Sequence, residues 1–509
     1  MAQCLYRCPN LFQPAPAQAT RNTAALETKA VTLSWDRLPA EIRRCILDLL
    51  SHEPLRKHVY ATVCREWRIF MEEKIFRKLT VCQHGLVGLA QLSAQPRSAI
   101  KHLWLNMEIN GPPCPYFLPA FLPASSLSFP IPNAEYHLHH LFSILSSWGY
   151  SERGLTLEFN AYCPLEQAHW IKNWFIGCPG ESHRIPVLTV DPGHDWRNAT
   201  LDSRLRIIDA CYEPVSFTNL MTLPLADAVT KFVIRRHCRN RYRPSDIARL
   251  VNACPRLVHL HLETWRHSYA PDITSQNPTT GLPQYDLIAN IHPRTLRTLT
   301  VYESYHAYTL IAPQVYGHRR VYVDHSRWFS ENSKQFAARS LGLQQLSISF
   351  MATAEAFFSH CQPDWTWKGL KTIFLTTNQF TEDPESRAVS VFLQNAAQVA
   401  LRMPSLETMV LWRAWPPHTG SFTYRRRDGT IIWCSTTDLD FDRATLEAWG
   451  EVAKQHQHLY LRSEKRLIER RQVISDGDAI RLLELPPLVI DPESREQIEK
   501  EHEIFNGRN

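Results

Sequence analysis

The chain has 509 residues, of which 44% are apolar and 21% charged, and it carries a formal net charge of +6. That length exceeds one ordinary hydrophobic core and the composition is that of a folded chain, so two or more units, or an elongated array, are expected. The mild charge makes no global electrostatic case for nucleic acid or a membrane surface, and no stretch approaches the roughly 20 apolar residues that span a bilayer.

The 13 cysteines are scattered and odd in number, without a paired framework. Pro9, Pro14 and Pro16 interrupt the first 20 residues, which lack the apolar core of a signal peptide. Reduced thiols in the cytoplasm or nucleus are therefore expected. Fifteen tryptophans and 34 prolines against 17 glycines point to an irregular repeat protein, not to a glycine-dependent nucleotide-binding fold.

Residues 1–32 are rich in Ala, Gln, Thr and Pro and read as a disordered leader. Order is expected from Ser34-Trp35-Asp36-Arg37-Leu38-Pro39, where Pro39 suits a first helical turn and Asp36 or Ser34 is placed to cap. Leu38, Ile42, Ile46 and Leu50 then recur every fourth residue, with Cys45 and Leu49 widening the stripe. After Pro54 a second stripe runs through Val59, Val63, Trp67 and Phe70, opposite Arg65, Glu66, Arg68, Glu72 and Glu73. Two or three short helices in some 45 residues bury little by themselves, so some of these apolar positions are expected to serve a partner.

The segment from Leu33 to Val81 resembles an F-box. The resemblance rests on Trp35-Asp36-Arg37-Leu38-Pro39-Ala40-Glu41-Ile42, Ile46-Leu47, Leu50, Val63-Cys64-Arg65-Glu66-Trp67 and Phe76-Arg77-Lys78-Leu79. It implies a small all-α module that docks a Skp-type adaptor, and through it a cullin. By the same resemblance the contact falls on Leu38, Pro39, Ile42, Ile46, Leu47 and Leu50, with Val63 and Trp67 structural or partly interfacial.

A short pattern of apolar, two residues, apolar, one residue, apolar follows. It occurs as Ile100-Leu103-Leu105, Val229-Phe232-Ile234, Leu257-Leu260-Leu262, Leu296-Leu299-Val301, Leu343-Leu346-Ile348, Leu370-Ile373-Leu375 and Leu406-Met409-Leu411. This is the strand portion of a leucine-rich repeat. Several copies follow a helical segment and a breaker: Ile247, Leu250 and Val251 lead to Pro255, Val391–Met403 is stopped by Pro404, and Thr353–His360 precedes Leu370. The later copies stand 27 to 47 residues apart and lack the regular asparagine or cysteine ladder. The expectation is an irregular α/β solenoid of leucine-rich-repeat-like character over 82–420, giving an α+β multi-domain chain with the F-box over 33–81.

Seven prolines between Gly111 and Pro132 exclude continuous helix or central strand there. A helix over about Ala134–Ser147 should follow, with Leu138, Leu141, Phe142 and Leu145 inward. In the remaining region, 421–509, Asp428-Gly429 marks a hairpin within Phe422–Trp433, Ala444–His456 reads as a helix, and a charged stretch begins at Asp491. The layout also resembles a group of fungal F-box-like proteins, through Leu103-Trp104-Leu105, Leu155-Thr156-Leu157-Glu158-Phe159, Ile431-Ile432-Trp433 and Gly477-Asp478-Ala479-Ile480. That resemblance implies an architecture and no particular substrate.

No phosphate-binding glycine loop, nucleophile elbow or zinc-binding His-Glu helix occurs. Cys4 and Cys8 lack further ligands at zinc spacing, and His137, His139 and His140 read as structural, so neither cofactor nor metal is expected. The clearest charge feature is Lys231, Arg235, Arg236, Arg239, Arg241 and Arg243, free of acids and interleaved with Phe232, His237 and Tyr242. It reads either as a solvated edge whose charges meet acids elsewhere, or as a docking surface for an acidic or phosphorylated substrate segment; nucleic acid is a third reading. Arg462–Arg471 reads as a salt-bridged helix face. The function expected is non-enzymatic substrate reception for an SCF-type ubiquitin ligase, with a non-degradative F-box scaffold or a nucleic-acid binder as alternatives.

Overall fold

The computed structural model describes residues 35–53, 57–108, 134–149, 154–162, 217, 222–238, 242, 244–265, 286–304, 325–382 and 386–505. The chain divides into two compact units, Met1–Leu105 and Asn106–Asn509. The leader, the proline-rich stretch 111–132, Cys4, Cys8 and Arg239, Arg241 and Arg243 lie outside the described residues.

The first unit opens on a 3-10 turn, Trp35–Arg37, followed by α1 (Ala40–Ser51), α2 (Lys57–Tyr60) and α3 (Arg65–Phe76). Pro39 is the residue before α1, and no side chain caps that helix. The expected cap by Asp36 is absent because Asp36 is drawn into the preceding turn; Ser34 lies outside the described residues. Strand β1 (Lys78–Val81) then pairs in parallel with β2 (His102–Glu108), bridged by α4 (Leu86–Ala90) and α5 (Ala94–Ala99). Leu47, Met71, Leu86, Leu89, Leu103 and Leu105 are the buried apolar centre of this unit.

In the second unit α6 (Ala134–Ser146) buries Leu138, Leu141, Phe142 and Leu145, the face its periodicity requires. Seven strands follow in chain order: β3 (Leu155–Tyr162), β4 (Val229–Ile234), β5 (His259–Trp265), β6 (Thr298–Ser304), β7 (Gln345–Ser349), β8 (Thr372–Thr376) and β9 (Thr408–Trp415). Each runs parallel to the next. Parallel neighbours need a crossover, and helices fill those from β4 onward. These are α7 (Pro244–Asn252), α8 (Asp286–Ala289), α9 (His325–Ser340), α10 (Ala354–Ser359) and α11 (Ser386–Ala400).

Every copy of the short apolar pattern lies on or at the start of a strand, and in this unit the copies are in register. Phe232, Leu260, Leu299, Leu346, Ile373 and Met409 form one cross-strand row, and Ile234, Leu262, Val301, Ile348, Leu375 and Leu411 the next. All twelve side chains are buried. A one-residue slip would turn a whole row to the opposite face, so the pattern holds the register.

The direction changes at β10 (His418–Arg425), which pairs antiparallel with both β9 and β11 (Thr430–Ser435). The turn between β10 and β11 carries Asp428-Gly429, with Gly429 at φ 61°, where a Cβ would meet the His458 ring at 2.8 Å. Helix α12 (Arg443–Gln455) is capped by Asp442, whose carboxylate accepts from Thr445 N–H at 2.8 Å. It leads to β12 (Arg462–Leu467), parallel to β11. Trp449 of α12 packs its ring, tilted, against Phe422 and Tyr424 and donates Nε1–H to the Leu393 carbonyl of α11. Two further helices, α13 (Asp476–Leu482, with a Ser475–Asp478 capping box) and α14 (Pro492–Phe505), complete the described chain.

The expectation of a helical face over Arg462–Arg471 is corrected. Its first six residues are β12 and Arg470–Gln472 is a 3-10 turn. The free edge of β11 supplies a ladder that the local charge spacing could not reveal.

Candidate functional site

On α1, Leu47 and Ser51 face the interior, and Ile42, Cys45 and Leu49 face solvent. Positions 42, 45 and 49 share one helical stripe. The apolar stripe is thus turned mostly away from the unit it belongs to. Ile42 is 48% and Leu49 73% exposed, with Val59, Val63 and Ile69 exposed beside them in sequence order on α2, its following turn and α3. Five such residues on so short a segment exceed the scatter of single apolar groups expected of a surface.

Polar contacts hold this arrangement. Lys74 Nζ donates to Asp48 Oδ1 at 2.6 Å, tying α3 to α1, and this neighbour holds the Asp48 carboxyl below its ordinary value. Trp35 Nε1–H donates to Glu66 at 2.8 Å, and Arg43 pairs with the same carboxylate at 3.4 Å. Trp67 is half-buried, with its ring 5.1 Å from Trp35 and 6.1 Å from Tyr60.

Of the residues assigned to adaptor contact, Pro39, Ile42 and Val63 are exposed and Leu38, Ile46, Leu50 and Trp67 partly so. Leu47, at 2% exposure, belongs to the interior and is removed from that surface. Leu49 and Ile69 are more open than several residues that were singled out. Leu49 was visible as an edge of the stripe, whereas Ile69, between Arg68 and Phe70, lies off the periodic positions of its helix.

The basic segment behaves differently. Lys231, on β4, is exposed, but Arg235 and Arg236, directly after β4, are 4% and 2% exposed. Arg235 Nε donates to Glu158 of β3 at 2.7 Å, and its Nη1 reaches Glu493 at 2.5 Å and Asp491 at 3.5 Å. Burial alone would lower the guanidinium pKa, and the surrounding carboxylates raise it instead. Arg236 lies over the Trp265 ring at 4.2 Å and donates Nε–H to Ser304 Oγ at 2.7 Å, while its backbone N–H donates to Glu263 at 2.9 Å. These two arginines are internal ties and not an open docking surface. The correction has a plain cause: an isolated buried guanidinium is prohibitively costly, and acids more than 70 and 250 residues distant neutralise Arg235.

Glu263 is the other node of this network. It is fully buried and accepts from Asp491 N–H at 2.7 Å and Ser494 Oγ–H at 2.5 Å, with His261 Nε2 also at 2.7 Å. Burial would raise its carboxyl, but His261, Ser494 and the Asp491 amide outweigh burial and hold it low. Asp491 itself is pushed up by burial and by the Glu263 carboxylate. The start of α14 is therefore clasped to Glu263 of β5 and to Arg235 just after β4, which itself pairs with Glu158 of β3. The acidic run Asp491-Pro492-Glu493 was the only marker of this clasp in the sequence, and its partners were not readable from it.

Among the described residues no group of three or more His, Cys, Asp or Glu is placed to hold a metal ion, and no helix is long and apolar enough to cross a membrane. His139 and His140 are half-buried on α6.

Compared with known families, residues 291–491 match a family of unknown function, DUF6546. The match runs from the approach to β6 through β12 and α13 and ends on Asp491, the residue clasped by Glu263. No curated protein matches the chain.

Proposed function

We propose that the chain is a substrate-receptor subunit of an SCF-type ubiquitin ligase. In this reading the first unit is an F-box that docks a Skp-type adaptor, and through it a cullin, while the second holds a protein substrate. The observation that carries it is the outward stripe of α1, Ile42-Cys45-Leu49, with Val59, Val63 and Ile69 of the following segment also exposed. A helix whose stripe faces solvent requires another protein to cover it, because the hydrophobic gain of burial is otherwise forgone. The exposed Pro39 and Ile42 stand where the F-box resemblance puts adaptor contact.

The second unit suits a receptor platform. Its in-register apolar rows and helix-bearing crossovers support an irregular solenoid of leucine-rich-repeat-like character. Ubiquitin transfer itself falls to the other subunits, in the cytoplasm or nucleus, and no catalytic residue is assigned to this chain.

The test is a pull-down of the full-length chain with purified Skp-type adaptor, beside the variant Leu38→Ala, Pro39→Ala, Ile42→Asp. Capture of the wild type and loss in the variant, with unchanged circular dichroism, is expected. A wild type that fails to bind the adaptor sinks the reading.

A further inference from the structure

Strand β12 ends the strand order of the second unit, and all six of its residues are exposed. Arg462 N–H donates to Gly429 O of the β10–β11 turn, and Ile468 N–H donates to Ser435 O of β11. Within a strand the N–H and C=O of one residue point the same way and alternate along the chain. The even-numbered positions therefore bond toward β11, and Ser463, Lys465 and Leu467 present their N–H and C=O groups outward. Two large apolar residues, Leu459 at 86% and Tyr460 at 82% exposure, stand at a bend just ahead of the strand, and Leu467 at 57% ends it. An open edge of this kind is a template for another strand, and its side chains decide which one.

The side chains here are complementary to themselves. A second copy related by a two-fold axis perpendicular to the sheet pairs antiparallel, with residue numbers in each opposed pair adding to one even sum. Centring the axis on Ser463 makes that residue exchange both backbone hydrogen bonds with its own copy. Arg462 then opposes Glu464 of the second copy, twice by symmetry. Leu461 lies across from the aliphatic stem of Lys465, whose ammonium group is already held by Asp438 and Asp440. Just outside the ladder, Tyr460 comes beside Arg466, whose guanidinium is also held by Glu484 and the Leu482 carbonyl, and Leu459 beside Leu467. The neighbouring registers are worse. Centring on Glu464 opposes Glu464 to itself and Arg462 to Arg466, and it directs the central backbone groups inward. Centring on Lys465 opposes two lysines.

We propose that β12 is a self-association edge, at which two copies of this chain pair antiparallel about Ser463. The inference stands independently of the ligase reading. The same charges keep the edge from pairing promiscuously with unrelated strands.

The experiment is sedimentation velocity on the full-length chain up to roughly 50 µM, a range that populates small transient interfaces. A reversible dimer that weakens with added salt is expected. Ser463→Pro removes only an outward N–H and should weaken association about tenfold or more, with circular dichroism and urea midpoint unchanged. Arg462→Glu and Glu464→Arg should each weaken the dimer, and combining them should restore it. A chain that stays monomeric, or a dimer indifferent to Ser463→Pro, overturns the proposal. Failure of the combined exchange to restore the dimer overturns the register.

Discussion

The two units invert the usual distribution of polarity in opposite ways. The first keeps Ile42, Leu49, Val59, Val63 and Ile69 in water, and the second keeps Glu158, Arg235, Arg236 and Glu263 out of it. Both arrangements cost free energy unless something compensates. In the second unit the compensation is internal: Arg235 meets Glu158, Arg236 donates to Ser304 and lies over the Trp265 ring, and Glu263 accepts from Ser494. Among the described residues of the first unit nothing covers Ile42, Cys45 or Leu49 of α1, and the proposed F-box reading gives that role to an adaptor. An inverted charge therefore marks a structural tie here, and under the proposed function the inverted apolar stripe is a docking surface.

The largest way to break that contrast is Glu158→Ala, which strips Arg235 of its buried partner. A loss of roughly 3–5 kcal/mol is expected, the usual cost of leaving one member of a buried pair. Removing Glu493, which is itself partly exposed, should cost much less. Comparing urea unfolding of the two variants checks this, and equal effects would mean that Arg235 is solvated in solution.

Glu263 sharpens the contrast through pH. Its carboxyl is held down to about 2 against an ordinary 4.5, so it contributes stability that is fully present above pH 4.5. That contribution is lost as pH falls toward about 2. Asp491, shifted upward, works in the opposite sense and offsets part of it. Glu263→Gln should therefore lower stability at neutral pH and flatten the acid limb of a stability–pH profile without abolishing it. An acid limb identical to wild type would refute the role given to Glu263.

The smallest effect on folding should come from Leu49→Asp. A side chain this exposed contributes little to stability, so a shift within about 0.5 kcal/mol is expected. Under the proposed function, adaptor binding should nonetheless fall about tenfold, equivalent to about 1.4 kcal/mol. A Leu49→Asp variant that unfolds readily, or that binds as well as wild type, would move the docking surface elsewhere.

Much of the fold was legible residue by residue, because its elements obey local periodicities. The four-residue spacing through α1, the apolar triplets of β4 to β9 and the Asp428-Gly429 turn are each decided within a few residues of backbone geometry. The direction in which the α1 stripe faces was not legible, since periodicity defines a face and not what covers it. Strand β12 was hidden for a related reason: Arg-Ser-Glu-Lys-Arg-Leu has no apolar alternation, and only the open edge of β11 makes it a strand.

What the sequence by itself determined is therefore most of the local elements and their order, β12 excepted, which follow from side-chain period and turn chemistry. The tertiary structure alone decided the fate of the charges. A run containing Lys231, Arg235 and Arg236 reads the same whether it lies on a surface or within a core. It was Glu158, Asp491 and Glu493, brought in from distant parts of the chain, that made burial of Arg235 affordable.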